Sequence, residues 1–195
     1  MRCEKANEIR IESHKVDCDS IKIIDYLDTR KDKWEARKEI VLSTISPSFC
    51  QILEDVNQNK SLGVFRPCNI NFFWEKTLLK SESKRDSYYV QLSFFGRHKD
   101  AVEQIPFSFY YTFKCKNESS CPGHKLQIVD WEIMESYRDW RRRYRPEQVL
   151  LEKIKERWLA RMCSEKNDVY FYVGNLRRFH NQFMVLGVFY PPKAV

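Results

Sequence analysis

The sequence predicts an α+β domain: a mostly antiparallel sheet with two consecutive C-terminal-half helices packed on one face. Three observations predict it. Two long aromatic, β-favouring runs, 87–95 and 106–113, precede a stretch of helical character. In that stretch, 131–163, apolar residues recur at spacings of three and four. Two late apolar runs, 169–173 and 183–190, flank a turn at Gly174-Asn175 and read as an antiparallel hairpin.

The elements follow in order. Residues 1–19 are polar with one alternation at 8–12, an edge strand or arm. Residues 20–27 read as a strand and 28–32 as a turn. Residues 34–42 form a short helix, or a helix running into a strand; so short a run does not separate the two by period. Ser46-Pro47-Ser48 marks a helix start, with Ser46 as cap and Pro47 at the first helical position. Phe49, Ile52, Leu53 and Val56 then line one face. A short strand at 61–65 stops at Arg66-Pro67, and 71–79 is too apolar for a free loop. The polar run 80–86 is the one soft boundary in what reads as a single domain over 1–195.

The strand at 107–113 places Phe107, Phe109, Tyr111 and Phe113 on one face and Ser108, Tyr110 and Thr112 on the other. The first set is a core face, because period-two aromatics in a sheet pack on helices. Runs 87–95 and 106–113 are placed to pair as neighbours. Asp130 caps the next helix, with Glu132 in its first turn and Ile133, Tyr137, Trp140 and Tyr144 along one side. Pro146 either opens a second helix or kinks the first. Leu150, Leu151, Ile154, Trp158 and Met162 face inward from there to about Cys163.

Composition limits the function classes. A 43% hydrophobic and 14% aromatic content is enough for a core, and five glycines leave no room for a phosphate-cradling Gly-rich loop. No apolar run reaches the ~20 residues of a membrane helix, and residues 1–13 hold no hydrophobic signal core, so a cytoplasmic protein is expected. In that compartment seven cysteines, an odd number, read as reduced thiols or metal ligands. The net charge of +7 favours a polyanionic partner, usually nucleic acid.

Three sites stand out. Cys115-x5-Cys121-x2-His124 offers three ligands of a structural Zn2+, with Pro122-Gly123 turning the chain. The fourth ligand comes from Cys163, His180, His98 or Cys68; Cys163 is preferred because it ends the helix expected beside this loop. His124, Asp130 and Glu132, with Lys125 near, are candidate catalytic groups for holding a hard divalent ion and activating water; capping alone also explains Asp130-Trp131-Glu132. Arg138, Arg141, Arg142 and Arg145, extended by Arg177 and Arg178 with His180 adjacent, form a candidate phosphate-binding stripe. Between 134 and 161 nine Lys/Arg stand against five Asp/Glu.

The strings Phe113-x-Cys115, Cys121-x-Gly123-His124 and Ile128-x-Asp130-Trp131-Glu132 resemble a prokaryotic protein family with no assigned activity. So do Tyr170-Phe171-x-Val173-Gly174-Asn175 and Gly187-Val188-Phe189-x-Pro191-Pro192-Lys193. The resemblance covers about 105–193. It implies that the Cys/Cys/His knuckle and Asp-Trp-Glu occur together, in a bacterial or archaeal cytosolic setting, as an accessory factor of anti-phage defence or mobile-element systems. The leading expectation is a non-enzymatic nucleic-acid-binding module. The alternatives are a metal-dependent nuclease-like enzyme and an interaction subunit docking on a larger effector protein.

Overall fold

The computed structural model describes Lys22 and residues 34–58, 61–77, 105–116, 118–176 and 179–193. Apart from Lys22, the strands expected at 8–12, 20–27 and 87–95 and the boundary at 80–86 lie outside them. The chain divides into two compact units, 1–39 and 40–195. Helix α1 (Trp34–Ser43) begins in the first and ends in the second. Its first turns are held locally: the Arg37 guanidinium lies 4.0 Å over the Trp34 ring, and Lys38 pairs with Glu35.

The second unit is α+β. Six strands form one sheet: β1 (Leu62–Phe65), β2 (Pro67–Lys76), β3 (Phe107–Cys115), β4 (His124–Ile128), β5 (Tyr170–Leu176) and β6 (Phe179–Phe189). Their spatial order is β1-β5-β6-β4-β3-β2, antiparallel throughout except for the parallel β4–β6 pair. Both edges of β3 are taken, by β2 and β4, so its neighbours differ from the expected partner at 87–95. The late hairpin forms as expected, with Phe171 opposite Val188 and Tyr170 opposite Phe189. β1 stops at Phe65, before Arg66-Pro67, as expected, and Pro67 then opens β2. No helix among the described residues is long and apolar enough to cross a membrane.

The alternation in β3 divides the sheet into two faces. Phe107, Phe109, Tyr111, Phe113 and Cys115 are all buried, while Ser108, Tyr110, Thr112 and Lys114 point the other way. Phe72, Leu126, Ile128, Phe171, Val173 and Val185 join the buried set. Three helices cover that face. Helix α2 (Phe49–Glu54) packs Phe49 against Phe65, Phe113 and Phe183. Helix α3 (Trp131–Trp140) buries Ile133 and sets Tyr137 against Phe107. Helix α4 (Glu147–Lys155) buries Leu150, Leu151 and Ile154 and carries on into a π-turn, Glu156–Arg161, around the fully buried Trp158.

The start of α2 differs from expectation. The Ser46 N–H donates to the Val64 carbonyl, which holds that residue against the edge of β1. Extended chain therefore continues two residues further, and Ser48 is the cap, its Oγ accepting from the Gln51 N–H at 3.0 Å. Gly63 lets α2 approach closely: a Cβ there would lie 2.6 Å from Ile52 Cδ1. Phe49, Ile52 and Val56 are buried as expected, but Leu53 is 37% exposed.

In α4 the bonding steps from Met162 N–H→Arg157 C=O to Cys163 N–H→Leu159 C=O. That step skips the Trp158 carbonyl, which accepts the Tyr111 hydroxyl at 2.8 Å and the Cys163 thiol at 3.3 Å instead. Phe171 is the hub of the core face, ringed by Phe65, Tyr111 and Phe113. Phe171→Ala is expected to lower unfolding free energy by about 3–5 kcal/mol, read as a lower urea midpoint at unchanged slope.

Candidate metal centre

Strand parity delivers the first two ligands. Cys115 follows Phe113 by two residues, so its thiol points to the buried face. His124 is the cross-strand partner of Phe113, so its ring shares that face. It packs edge-on to Phe49, centroids 4.8 Å apart, and against Phe113 at 5.4 Å. The connection between the strands brings in Cys121, whose N–H donates to the Glu118 carbonyl. Gly123, at φ 90°, makes the left-handed turn that swings the chain into β4. The fourth group, Cys50, comes from the first turn of α2 beside the buried Phe49.

The four donor atoms lie within 4.8 Å of one another, and this group can hold a metal ion. Cys50 Sγ and Cys121 Sγ are each 3.3 Å from His124 Nε2; Cys115 Sγ is 3.7 Å from both Cys50 Sγ and His124 Nε2. A tetrahedron with Zn–S of about 2.3 Å and Zn–N of about 2.0–2.1 Å has edges of about 3.8 Å (S–S) and 3.6 Å (S–N). Four of the six donor–donor spacings match those edges to within about 0.3 Å, the other two, from Cys121 Sγ to the Cys50 and Cys115 thiols, lie within 4.8 Å, and the Cys3His set is a recognised zinc donor set.

The electrostatics are divided: Cys121 and His124 shift toward the forms that bind a metal, whereas Cys50 and Cys115 shift toward neutral thiols that a cation would have to deprotonate. Burial raises the Cys50 thiol well above its ordinary value, and the neighbouring Cys115, Glu118 and Cys121 side chains add to the shift. Burial also raises Cys115, although hydrogen bonds from the Cys50 and Phe49 backbone oppose it. For Cys121 burial is outweighed by the backbone N–H groups of Cys115 and Gly123 and by the two neighbouring thiols, so its thiol is lowered from its ordinary value. The Cys115 N–H lies 3.3 Å from Cys121 Sγ. Burial lowers His124, against the pull of Glu118, and keeps the imidazole neutral as a ligand requires.

Of the expected ligands, Cys115, Cys121 and His124 come together, and Cys50 completes the group where Cys163 was expected. Cys163 lies at the end of the π-turn, its thiol bonded to the Trp158 carbonyl and pushed up to about 12 by burial. The five described cysteines are all free thiols. Cys68 sits on β2 opposite Lys114, and His180 is exposed on β6; His98 lies outside the described residues. Cys50 left no local signal, because 65 residues separate it from Cys115 and spacing does not reveal which helix covers the strand end.

The three candidate catalytic residues are not brought together. His124 opens β4 and Asp130 follows its far end; the four strand steps from His124 to Ile128 alone span about 13 Å. Asp130 caps α3, its Oδ1 accepting the Glu132 N–H at 2.8 Å. Burial raises its carboxyl, the Glu132 N–H opposes that, the Glu132 charge adds to it, and Arg157 opposes it. Glu132 pairs with Arg157 at 3.5 Å, and Lys125 turns to the opposite sheet face to pair with Glu75. Among the candidate arginines, Arg138 pairs with Glu135 and lies over the exposed Trp131 ring, and Arg141 is half-exposed. Arg142 and Arg145 are exposed in the turn between α3 and α4, and no described residue pairs with either. Arg177 and Arg178 lie outside the described residues.

The family described as Domain of unknown function (DUF8757) matches residues 45–195, and the chain belongs to it. No curated protein and no solved structure matches the chain.

A metal at the four donors predicts near-stoichiometric zinc by elemental analysis of the purified protein. Cys50→Ser and His124→Ala are expected to lose most of the zinc and to lower Tm by roughly 10 °C or more, several kcal/mol at about 2–4 °C each. Cys163→Ser is expected to keep full zinc, which separates the two assignments of the fourth ligand.

Proposed function

We propose that this protein is a non-enzymatic nucleic-acid-binding module whose fold is closed by a structural zinc ion on Cys50, Cys115, Cys121 and His124. The observation that carries the reading is the donor count. Four protein ligands complete a tetrahedron, whereas a catalytic zinc keeps a position open for water or substrate. The zinc then clamps α2 to the β3–β4 end of the sheet, and function passes to the surface. That surface is basic: the chain carries +7, and the α3–α4 turn exposes Arg142 and Arg145 without partners among the described residues. Exposed guanidiniums suit phosphate contact, and contact by charge needs no catalytic centre.

The metal-dependent nuclease reading draws less support, since His124 belongs to the zinc group and Asp130 and Glu132 are engaged as cap and ion pair. The two readings part at Asp130. If it is a cap, Asp130→Asn keeps the accepting oxygen and removes a raised carboxylate, so stability is unchanged or higher. Asp130→Ala loses the cap and about 1 kcal/mol. Thermal unfolding of the two variants checks this; cleavage of DNA or RNA with Mg2+ or Mn2+ that both variants abolish would replace the binding reading with the enzymatic one.

Binding itself is tested by fluorescence anisotropy of labelled oligonucleotides across a salt series. Affinity is expected to fall linearly in log–log form as counterions are released, and the Arg142→Ala/Arg145→Ala double variant is expected to shallow that slope by about 1–2. A salt-independent or undetectable interaction would overturn the reading.

A further inference from the structure

We propose that the sheet face opposite the helices is a stacking platform for single-stranded nucleic acid, centred on Phe73 and Tyr110 with Lys125 as its phosphate contact. The inference rests on the nucleic-acid reading and deepens it, because it places base contact on a different face from the arginine turn.

The register builds the platform. Phe72 and Trp74 turn into the core, so Phe73 between them points away from it; Tyr110 does the same between Phe109 and Tyr111. Phe73 and Tyr110 are cross-strand partners, their rings stacked 5.3 Å apart at 13°. Both are half-buried, so ring surface remains open to solvent. The core contacts of α2, α3 and the π-turn described above, through Phe113, Phe107 and Tyr111, go to the other face.

Charge and polarity suit a nucleotide strand. The Lys125 ammonium lies 4.9 Å over Phe73 and 4.6 Å over Tyr110, on an exposed side chain. It holds a cation over the ring faces, and a base stacking there displaces the ammonium from them toward the phosphate that runs beside that base. Lys114, also exposed, extends the positive charge along the same side of β3. Asn71, Ser108, Thr112 and Gln127 occupy the surrounding positions of this face and offer donors and acceptors to base edges. The only acidic side chain among these neighbouring positions of β2, β3 and β4 is Glu75, which pairs with Lys125 at 2.7 Å. A flat sheet bearing aromatic rings stacks bases whose faces are free, and in a duplex those faces are already occupied.

Glu75 supplies a test that a purely structural aromatic pair would not pass. Its carboxylate competes with phosphate for Lys125, so Glu75→Gln is expected to tighten binding several-fold. Phe73→Leu and Tyr110→Leu are expected to weaken binding by about tenfold or more, and Tyr110→Phe to leave it near wild type. The measurement is anisotropy of labelled single-stranded DNA and RNA of about fifteen nucleotides, and of the matching duplex, with full-length zinc-containing protein. Each variant is first shown to keep wild-type zinc content and Tm. Should the leucine variants misfold, Glu75→Gln and Tyr110→Phe still decide. Wild-type affinity for single strands through the leucine variants, with loss in Arg142→Ala/Arg145→Ala, overturns the platform and leaves the nucleic-acid reading intact. Equal or tighter binding of duplex, or no tightening in Glu75→Gln, also overturns the platform. Failure of the wild-type protein to bind any oligonucleotide overturns both.

Discussion

The two-residue period of β3 is the constraint on which the rest depends. Five alternate positions from Phe107 to Cys115 are buried, so the last of them, a cysteine, must share a face with four aromatic rings. The antiparallel register then sets His124 opposite Phe113 and on the same side. A thiol and an imidazole have thus been placed at the end of a hydrophobic face, where an unpartnered polar group costs about 1–3 kcal/mol. A shared cation would satisfy them together. The same period sends Phe73 and Tyr110 to the opposite side, so the metal group and the exposed aromatic pair follow from one register.

Much of this was legible because it is local. Alternation in 107–113 identified the buried face, and Asp130 was readable as a cap because a cap bonds within its own turn. Cys115, Cys121 and His124 were readable as a ligand group because one turn joins them. Cys50 was not, since its role depends on α2 crossing the strand end, and that is decided by Phe49 fitting among Phe65, Phe113 and Phe183. Cys163 was chosen for standing near the end of a helix, but the π-turn gives its thiol a carbonyl acceptor instead. Ser46 lost the cap position to Ser48 for a similar reason, a backbone bond to a strand far along the chain.

In the helical layer several arginines are ion-paired. Arg138, Arg143, Arg157 and Arg161 each meet an acidic partner on or near their own helix. Arg157 also lies over the Trp140 and Trp158 rings, where its stem covers apolar surface. Such pairs contribute little to stability individually, about 0–1 kcal/mol when exposed, but they reduce the free positive charge presented to a polyanion. What is left concentrates in the turn, at Arg142 and Arg145, where the chain between α3 and α4 has no helix face on which to pair them.

The distance of Cys50 along the chain has its own consequence. A clamp between Cys50 and Cys115 closes a loop of about 66 residues that includes β1 and β2. In the chain-entropy picture developed for disulfides, closing a loop of that length removes about 4 kcal/mol of unfolded-state entropy. A ligand set drawn only from the β3–β4 connection would close a loop of ten residues and would leave α2 held by Phe49, Ile52 and Val56 alone. Helix α2 has only six residues, too few to be stable by its own hydrogen bonds. Aromatic packing and a metal at this site would therefore act on the same weak element from two sides: Phe49 positions the helix over His124, and Cys50, the next residue, would fix it there through the metal.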